Sequence, residues 1–272
     1  MVKPNIKYLL SRTMTILRLA IYLKNWSAFW HDFWHQPSTN ELTTYHFRNG
    51  SVMIVRSGTD DKWGMTEAYL KRPYDHPDFN PLGDTPVIID AGAHIGSFTV
   101  QTGFRLPKAH LFAIEPAQGT YDVLTSNIAA NHLTNVTTIR GALTSRPGQI
   151  TIHVDPAHSV FSSTIATPNN QSGPPELVPA WTLEKLLAAY HLPRIDWLKC
   201  DVEGSEFDIF LTLPPVVWQS LQNVSLEYHL FDPHHTLSEL QNAFTQHDFE
   251  IIDLTSIRAT IGLLKARRKK TA

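Results

Sequence analysis

Two acids sit where an acid in an alternating α/β chain meets a ligand. The apolar run Val87-Ile-Ile ends in Asp90, and Leu111-Phe-Ala-Ile ends in Glu115-Pro116. Between them, Ala91-Gly92-Ala93-His94-Ile95-Gly96 leads into Ser97-Phe98. In an open sheet, ligands lie beyond the carboxyl ends of the strands, and glycines let backbone approach them closely. Three nucleotide-type ligands compete for such a loop. A phosphate-cradling P-loop needs Lys followed by Ser or Thr after its last glycine, and Gly96 is followed by Ser97-Phe98. A dinucleotide loop needs a glycine pattern that Ala93-His94 does not supply, and an acid beside a pyrophosphate repels it. S-adenosylmethionine has no phosphate and carries an ammonium and a sulfonium, so Asp90 suits it. Glu115 could accept hydrogen bonds from both ribose hydroxyls. The plainer reading is that both acids only cap helices.

A second ionisable group follows at Lys199-Cys-Asp-Val-Glu-Gly-Ser-Glu206, and Glu227 and His229 close the next β-rich run. Strand alternation puts Lys199, Asp201 and Glu203 on one side, Cys200 and Val202 on the other. Such a set could align an acceptor hydroxyl and remove its proton. Asp201 or Glu203 would be the base, with Lys199 holding the loop or lowering the acceptor's pKa; His229 is an alternative base with a pKa suited to neutral pH. General-base catalysis contributes roughly 10²–10⁴-fold in rate. Asp201, Glu227 and His229 could instead hold Mg²⁺ or another hard divalent ion. A structural ion-pair network over Lys199–Glu203 would account for the same residues without chemistry.

These residues need a scaffold, and the rhythm of the chain supplies one. Short β-rich runs recur at Val87–Asp90, Leu111–Ile114, Val136–Arg140, Trp197–Asp201, Val224–Tyr228, Glu250–Leu254 and Ala259–Leu264. Helical stretches such as Tyr121–His132 and Trp181–His191 separate the earlier ones. The expected fold is a doubly wound, mostly parallel seven-stranded α/β sheet. The last two runs are too close for a helix and predict an antiparallel edge hairpin. Residues 87–272 are expected to form this domain, after a helical extension over 1–44 and a hairpin and linker over 45–86. The hairpin is Tyr45–Arg56, turning at Asn49-Gly50, and a short helix is expected around Thr59–Arg72. Thr151–Pro179, rich in Asn, Ser, Pro and Gly, reads as an inserted or lid loop, with Ser162-Ser163 at an entrance.

Composition narrows the rest. A net charge of −2 gives no reason to expect nucleic acid. The single cysteine, Cys200, excludes an internal disulfide, and no Cys/His zinc spacing occurs. Met14–Leu23 is short and interrupted by Arg18, so no transmembrane span or signal peptide is read and a cytoplasmic chain is expected. Residues 1–34 read as helix, with Lys3, Lys7, Arg12, Arg18 and Lys24 interleaved and Trp26, Phe29, Trp30, Phe33 and Trp34 at the end. Packing on the domain is the plain expectation; a peripheral contact with an anionic membrane is the alternative. His234-His235 reads as a surface feature, and Lys265-Ala-Arg-Arg-Lys-Lys270 as a solvated basic tail.

In order through much of residues 59–229, the chain resembles the FkbM family of methyltransferases. The matching elements are Asp90-Ala-Gly-Ala-His-Ile-Gly96, Glu115-Pro116, Leu124 with Asn127-Ile128, Asn131, Asn135-Val136, Gly141-Ala142-Leu143, Thr182-Leu183, Leu198–Glu206 and Glu227-Tyr-His229. The resemblance implies a class I fold and S-adenosylmethionine. The implied cofactor set is Asp90, Gly92, Ala93, His94, Gly96, Glu115, Pro116, Gly141, Ala142 and Asp201, with Asp60 and Glu67 near the cofactor's amino-acid end. It also implies a hydroxyl acceptor on a sugar, a glycan or glycolipid, or another small natural product. The chain departs from the family pattern at His94, where Asn is frequent, at Cys200, where an apolar residue is common, and near Leu211-Thr212, where a glycine is missing. The other functional readings are a nicotinamide-dependent oxidoreductase and a cofactor-binding scaffold without activity.

Overall fold

The computed structural model describes residues 18–19, 21–34, 41–80, 82–154 and 175–270; Ser162-Ser163 lies outside them. Its centre is a seven-stranded sheet. Five strands run parallel: β3 (Val87–Ala91), β4 (His110–Glu115), β5 (Val136–Arg140), β9 (Trp197–Cys200) and β10 (Asn223–His229). The antiparallel pair β11 (Phe249–Arg258) and β12 (Ile261–Arg268) closes one edge. The spatial order is β5-β4-β3-β9-β10-β12-β11. The chain winds outward from β3 to β5, then returns to add β9 on the other side of β3. This reversal opens a crevice beyond the ends of β3 and β9, the standard ligand position in doubly wound sheets.

β3 is buried at every residue, as its unbroken apolar run requires of a strand covered on both faces. One face packs under α5 (Leu183–Ala189), α6 (Glu206–Thr212), α7 (Pro215–Ser220) and α8 (Leu237–Gln246), around Leu186, Phe210, Trp218 and Phe244. α8 starts with a full capping box between Thr236 and Glu239. On the other face lie α2 (Asp61–Leu70), α3 (Ser97–Arg105) and α4 (Gln118–Ala130).

The hairpin of β1 (Leu42–His46) and β2 (Val52–Arg56) turns at Asn49-Gly50 as expected. It shares a core with the domain: Tyr45, Phe47, Met53 and Val55 pack in one cluster with Leu19, Leu23, Phe29, Ile95, Leu124 and Ile128. Residues 18–34 are not one helix. Leu23 bridges to Phe47, and α1 (Trp26–Trp34) starts afterwards. Two asparagines of α4 attach the hairpin. Asn127 accepts from Ile54 N (2.6 Å) and donates to Ile54 O (2.9 Å) and Ile95 O (2.8 Å). Asn131, one turn on, accepts from Val52 N (2.8 Å) and donates to Val52 O (2.6 Å). Their amides serve β2 as a neighbouring strand would.

Two expectations are corrected. The ends of Thr151–Pro179 are strands: β7 (Gly148–His153) pairs antiparallel with β8 (Pro175–Trp181), and β6 (Ala142–Leu143) adds to β8. Prolines at 175 and 179 mask β8 in a sequence reading, because proline cannot donate within a ladder. The basic segment from Lys265 is mostly β12 rather than a tail. Lys265 pairs with Asp253, Arg267 with Glu250, and Arg268 donates to Leu221 O (2.8 Å). β12 lies inside the sheet, between β10 and β11, and is buried from Gly262 to Ala266, so its basic side chains are answered by neighbours rather than by solvent.

Asn127→Ala removes three bonds from the buried junction, so a loss of roughly 2–4 kcal/mol is expected in urea unfolding. Amide exchange should rise over Val52–Arg56. Unchanged exchange there would contradict the attachment.

Candidate active site

The loop after β3 is fixed by its own protein neighbours. Gly92 N and Ala93 N both donate to Ile114 O (3.1 and 2.9 Å), and Asp201 N donates to Ala91 O (3.1 Å). Gly92 has φ +73°, and a Cβ there would fall 1.7 Å from the Asp201 carbonyl oxygen. Gly96, φ +86°, would put a Cβ 2.6 Å from Leu124 Cδ1. Gly92 is therefore demanded by close approach to the Asp201 backbone and by its left-handed φ, and Gly96 by its left-handed φ, requirements separate from any ligand. His94 is also left-handed, φ 51°, a conformation more accessible to His, Asn and Asp than to most residues. Its N–H donates to Glu115 Oε2 (2.9 Å), and Ala117 N donates to Glu115 Oε1 (3.1 Å). Burial raises the pKa of Glu115.

Lys199 closes this loop from β9. Its Nζ donates to Gly92 O (2.6 Å) and Ala91 O (3.3 Å) and lies 3.2 Å from Asp90 Oδ1. Asp201 Oδ2 is 3.7 Å away, and the Tyr74 ring centroid 5.1 Å. Burial alone would lower the ammonium's pKa, but Asp90 and Asp201 outweigh it and hold the group above its ordinary value. Asp90 is fully buried and also accepts from Thr99 Oγ1 (2.5 Å). Its charge is answered by Lys199 inside the protein, not across the crevice.

The crevice is lined by Gly92, Ala93, His94 and Phe98 together with Lys199, Asp201, Glu203 and Glu227. Glu67, Gly64, Pro73 and Tyr74 complete it. Glu67 pairs with Lys71 (3.1 Å). Asp90, Gly96, Glu115, Pro116, Gly141, Ala142 and Asp60 are not among the residues that line the crevice. Gly141 N donates to Glu115 O (3.1 Å), and Ala142 is buried in β6. Asp60 sits at the N-cap position of α2 without a side-chain capping bond. Its neighbour Asp61 is the buried acid, 3.2 Å from His94 Nε2 and bound by Arg56 through two bonds of 2.8 Å. Burial would raise Asp61, but His94 and Arg56 outweigh it and hold the carboxyl well below the usual range.

The far wall is an acid cluster around one histidine. β9 ends at Cys200, yet Glu203 still reaches the crevice because the chain turns through φ 53° at Glu203 and 111° at Gly204. Glu206 stabilises that turn by accepting from Val202 N (3.1 Å) and Gly204 N (2.9 Å). Glu206 Oε1 also lies 2.9 Å from His229 Nδ1. His229 Nε2 is 3.4 Å from Glu203 and 3.8 Å from Glu227. Burial would lower the imidazolium's pKa, but Glu206, Glu203 and Asp201 outweigh it and push it up to about 10. Burial, then Asp201, pushes Glu203 and Glu227 up to about 8. Tyr74, in the proline-rich linker, shares its hydroxyl proton between Asp201 Oδ2 (2.9 Å) and Glu227 Oε2 (3.1 Å). No spacing in the sequence connects Tyr74 to residues 127 and 153 positions away, and the sequence reading misses it. Asp201, Glu227 and His229 offer ligand atoms within 4.8 Å of one another. An imidazolium facing acids through both nitrogens is, however, a poor metal ligand, since ligation needs the neutral ring.

Residues 90–251 match the Methyltransferase FkbM domain model, more than half of the chain. The protein belongs to the FkbM methyltransferase family. Methyltransferase sdnD of Sordaria araneosa is 28% identical over 178 residues, covering 55% of this chain and 69% of that protein. Hexuronic acid methyltransferase AglP of Haloferax volcanii is 24% identical over 216 residues, covering 79% and 84%. The solved FkbM methyltransferase of Methylobacillus flagellatus KT superposes with a TM-score of 0.49 at 14% identity, over 71% of this chain and 46% of that one.

Two predictions follow from the charges. Lys199→Met leaves Asp90 buried and uncompensated, so a loss of about 3–5 kcal/mol is expected in urea unfolding. The Lys199→Met/Asp90→Asn double variant should recover most of it; no recovery would contradict the pairing. Secondly, His229, Glu203 and Glu227 are all raised in the fold. The stability from His229 is complete below pH 6.5 and is lost as pH rises through about 10. The part from Glu203 and Glu227 is complete below pH 4.5 and is lost through about 8. The melting temperature should therefore fall as pH rises from about 5 to about 10, and Glu227→Gln should flatten the segment below about 8. A melting temperature that climbs over this range would overturn these assignments.

Proposed function

We propose that this protein transfers a methyl group from S-adenosylmethionine to a hydroxyl on a sugar, a glycan or glycolipid, or another small natural product. The observation that carries the reading is the charge of the crevice. Glu67 and Asp201 line it, Glu203 and Glu227 add acids that keep their protons up to about pH 8, and among the described lining residues the ammonium is Lys199, bound to Asp90 and two backbone carbonyls. Such a wall suits a ligand bearing an ammonium and a sulfonium and repels a pyrophosphate, which weighs against a nicotinamide cofactor. Asp201 Oδ1 is buried without a hydrogen-bond partner among the described residues. When bound, the cofactor supplies an electrophilic methyl group; Gly92, Ala93 and His94 would shape its bed, with Glu115 behind them and Glu67 and Asp201 at its charged end.

For the acceptor, the chain provides alignment and a proton sink. His229 already holds a proton on each nitrogen at neutral pH, so it serves as a fixed cation and not as the base. The base is the pair Glu203 and Glu227, which share that imidazolium and whose affinity for a proton is lifted towards neutrality. Tyr74 orients Asp201 and Glu227. The same imidazolium takes the place of a divalent ion in balancing the acids. The intact cluster favours an active enzyme over a scaffold.

Titration calorimetry with S-adenosylhomocysteine should show micromolar binding that Glu115→Ala and Asp201→Asn weaken. Absence of binding to folded wild-type protein would overturn the cofactor reading. With an acceptor in hand, Glu203→Gln and Glu227→Gln should each lower kcat, roughly 10²–10⁴-fold for the residue that takes the proton, without weakening S-adenosylhomocysteine. EDTA should leave the rate unchanged. A rate abolished by EDTA and restored by Mg²⁺ would replace the imidazolium with a metal.

A further inference from the structure

The N-terminal extension presents a surface that neither the crevice nor the core uses. The helical turn before Leu23 buries Leu19 and Leu23 against the hairpin. Arg18, Ile21 and Tyr22, at i, i+3 and i+4, therefore point away from that contact. Ile21 is 69% exposed, Tyr22 46%, and Trp26, just past the break, 50%. Leu42, at the start of β1, is 57% exposed. Arg18, Lys24 and Arg48 are exposed on the same extension and hairpin, and Arg48 N bonds Tyr22 O (2.7 Å), which sets it beside the aromatic ring's own residue.

The charge of the chain is divided accordingly. Of its 23 basic and 25 acidic residues, residues 1–40 hold five basic residues (Lys3, Lys7, Arg12, Arg18, Lys24) and one acid, Asp32. That part is net +4, while the remainder is net −6. Exposed Tyr and Trp beside Lys and Arg fit the boundary between water and lipid, where the rings sit at headgroup depth and the cations meet anionic headgroups. Two copies meeting face to face through this surface would offer no matching charge, since it is basic in both. No helix among the described residues is long and apolar enough to cross a membrane, so contact through this face would be peripheral.

We propose that the face built by Arg18, Ile21, Tyr22, Lys24 and Trp26 docks the protein on an anionic lipid surface. This is independent of the acceptor and of the cofactor reading. The test is flotation of the full chain with vesicles of phosphatidylcholine alone and of phosphatidylcholine mixed with phosphatidylglycerol. Wild-type protein should rise with the anionic vesicles, stay behind with the neutral ones, and be released by salt. The variants Ile21→Ser/Tyr22→Ser/Trp26→Ser and Arg18→Glu/Lys24→Glu should each weaken partitioning by about tenfold or more. Both should keep the wild-type melting temperature, because the replaced side chains lie outside the core. Wild-type protein that stays in solution with anionic vesicles would overturn the proposal. So would flotation undiminished in both variants, or a wild-type dimer that the triple variant dissociates and that ignores lipid.

Discussion

A single buried ammonium organises the centre of this molecule. Lys199 leaves water at the point where β3 and β9 diverge, and it is held there by one full carboxylate, a second at longer range and two carbonyls. Removing an ion from water is unfavourable by several kcal/mol, so the position is tenable only while those partners stay in place. The geometry of the loop after β3 is thereby fixed from the neighbouring strand. Asp90 is neutralised below the surface, and Glu67, Asp201, Glu203 and Glu227 line the crevice with His229 behind the last two.

Around this anchor, the two loops that meet across the crevice are built alike. Each contains a non-glycine residue in the left-handed region, His94 after β3 and Glu203 after β9. Such residues are held at a cost of order 1–3 kcal/mol when the surroundings over-determine them. In each case a carboxylate supplies the determination: Glu115 takes the N–H groups of His94 and Ala117, and Glu206 those of Val202 and Gly204. Side chains that a composition count would class as charge act here largely as receptors for backbone.

Strand identities were legible from the sequence because β3 and β4 carry the unbroken apolar runs Val87–Ile89 and Leu111–Ile114, each bounded by a sharp change in character. Asp90 and Glu115 were legible for the same reason, since they end those runs, and Asp201, Glu203 and Glu227 because they fall at or just past the ends of β9 and β10. What each acid faces was not. Asp90 and Lys199 come from separate strands 109 positions apart, and only their parallel register shows that they meet. Tyr74 sits in a linker with no periodicity to mark it. Asp60 and Asp61 are adjacent and alike in type, and the burial that sets them apart depends on Arg56 and His94, from other elements. β8 was obscured by prolines that argue against a strand when read alone.

The asparagines that seal β2 set an order of events during synthesis. β1 and β2 leave the ribosome before α4, and Asn127 and Asn131 follow 73 and 79 residues behind Ile54 and Val52. Until α4 emerges, β2 carries an open row of peptide groups, the kind of edge that pairs with a neighbouring nascent chain. Closing a contact this distant is slow compared with forming the hairpin itself. The hairpin is thus local in its pairing and late in its docking, and its vulnerable interval is the time taken to translate the intervening segment.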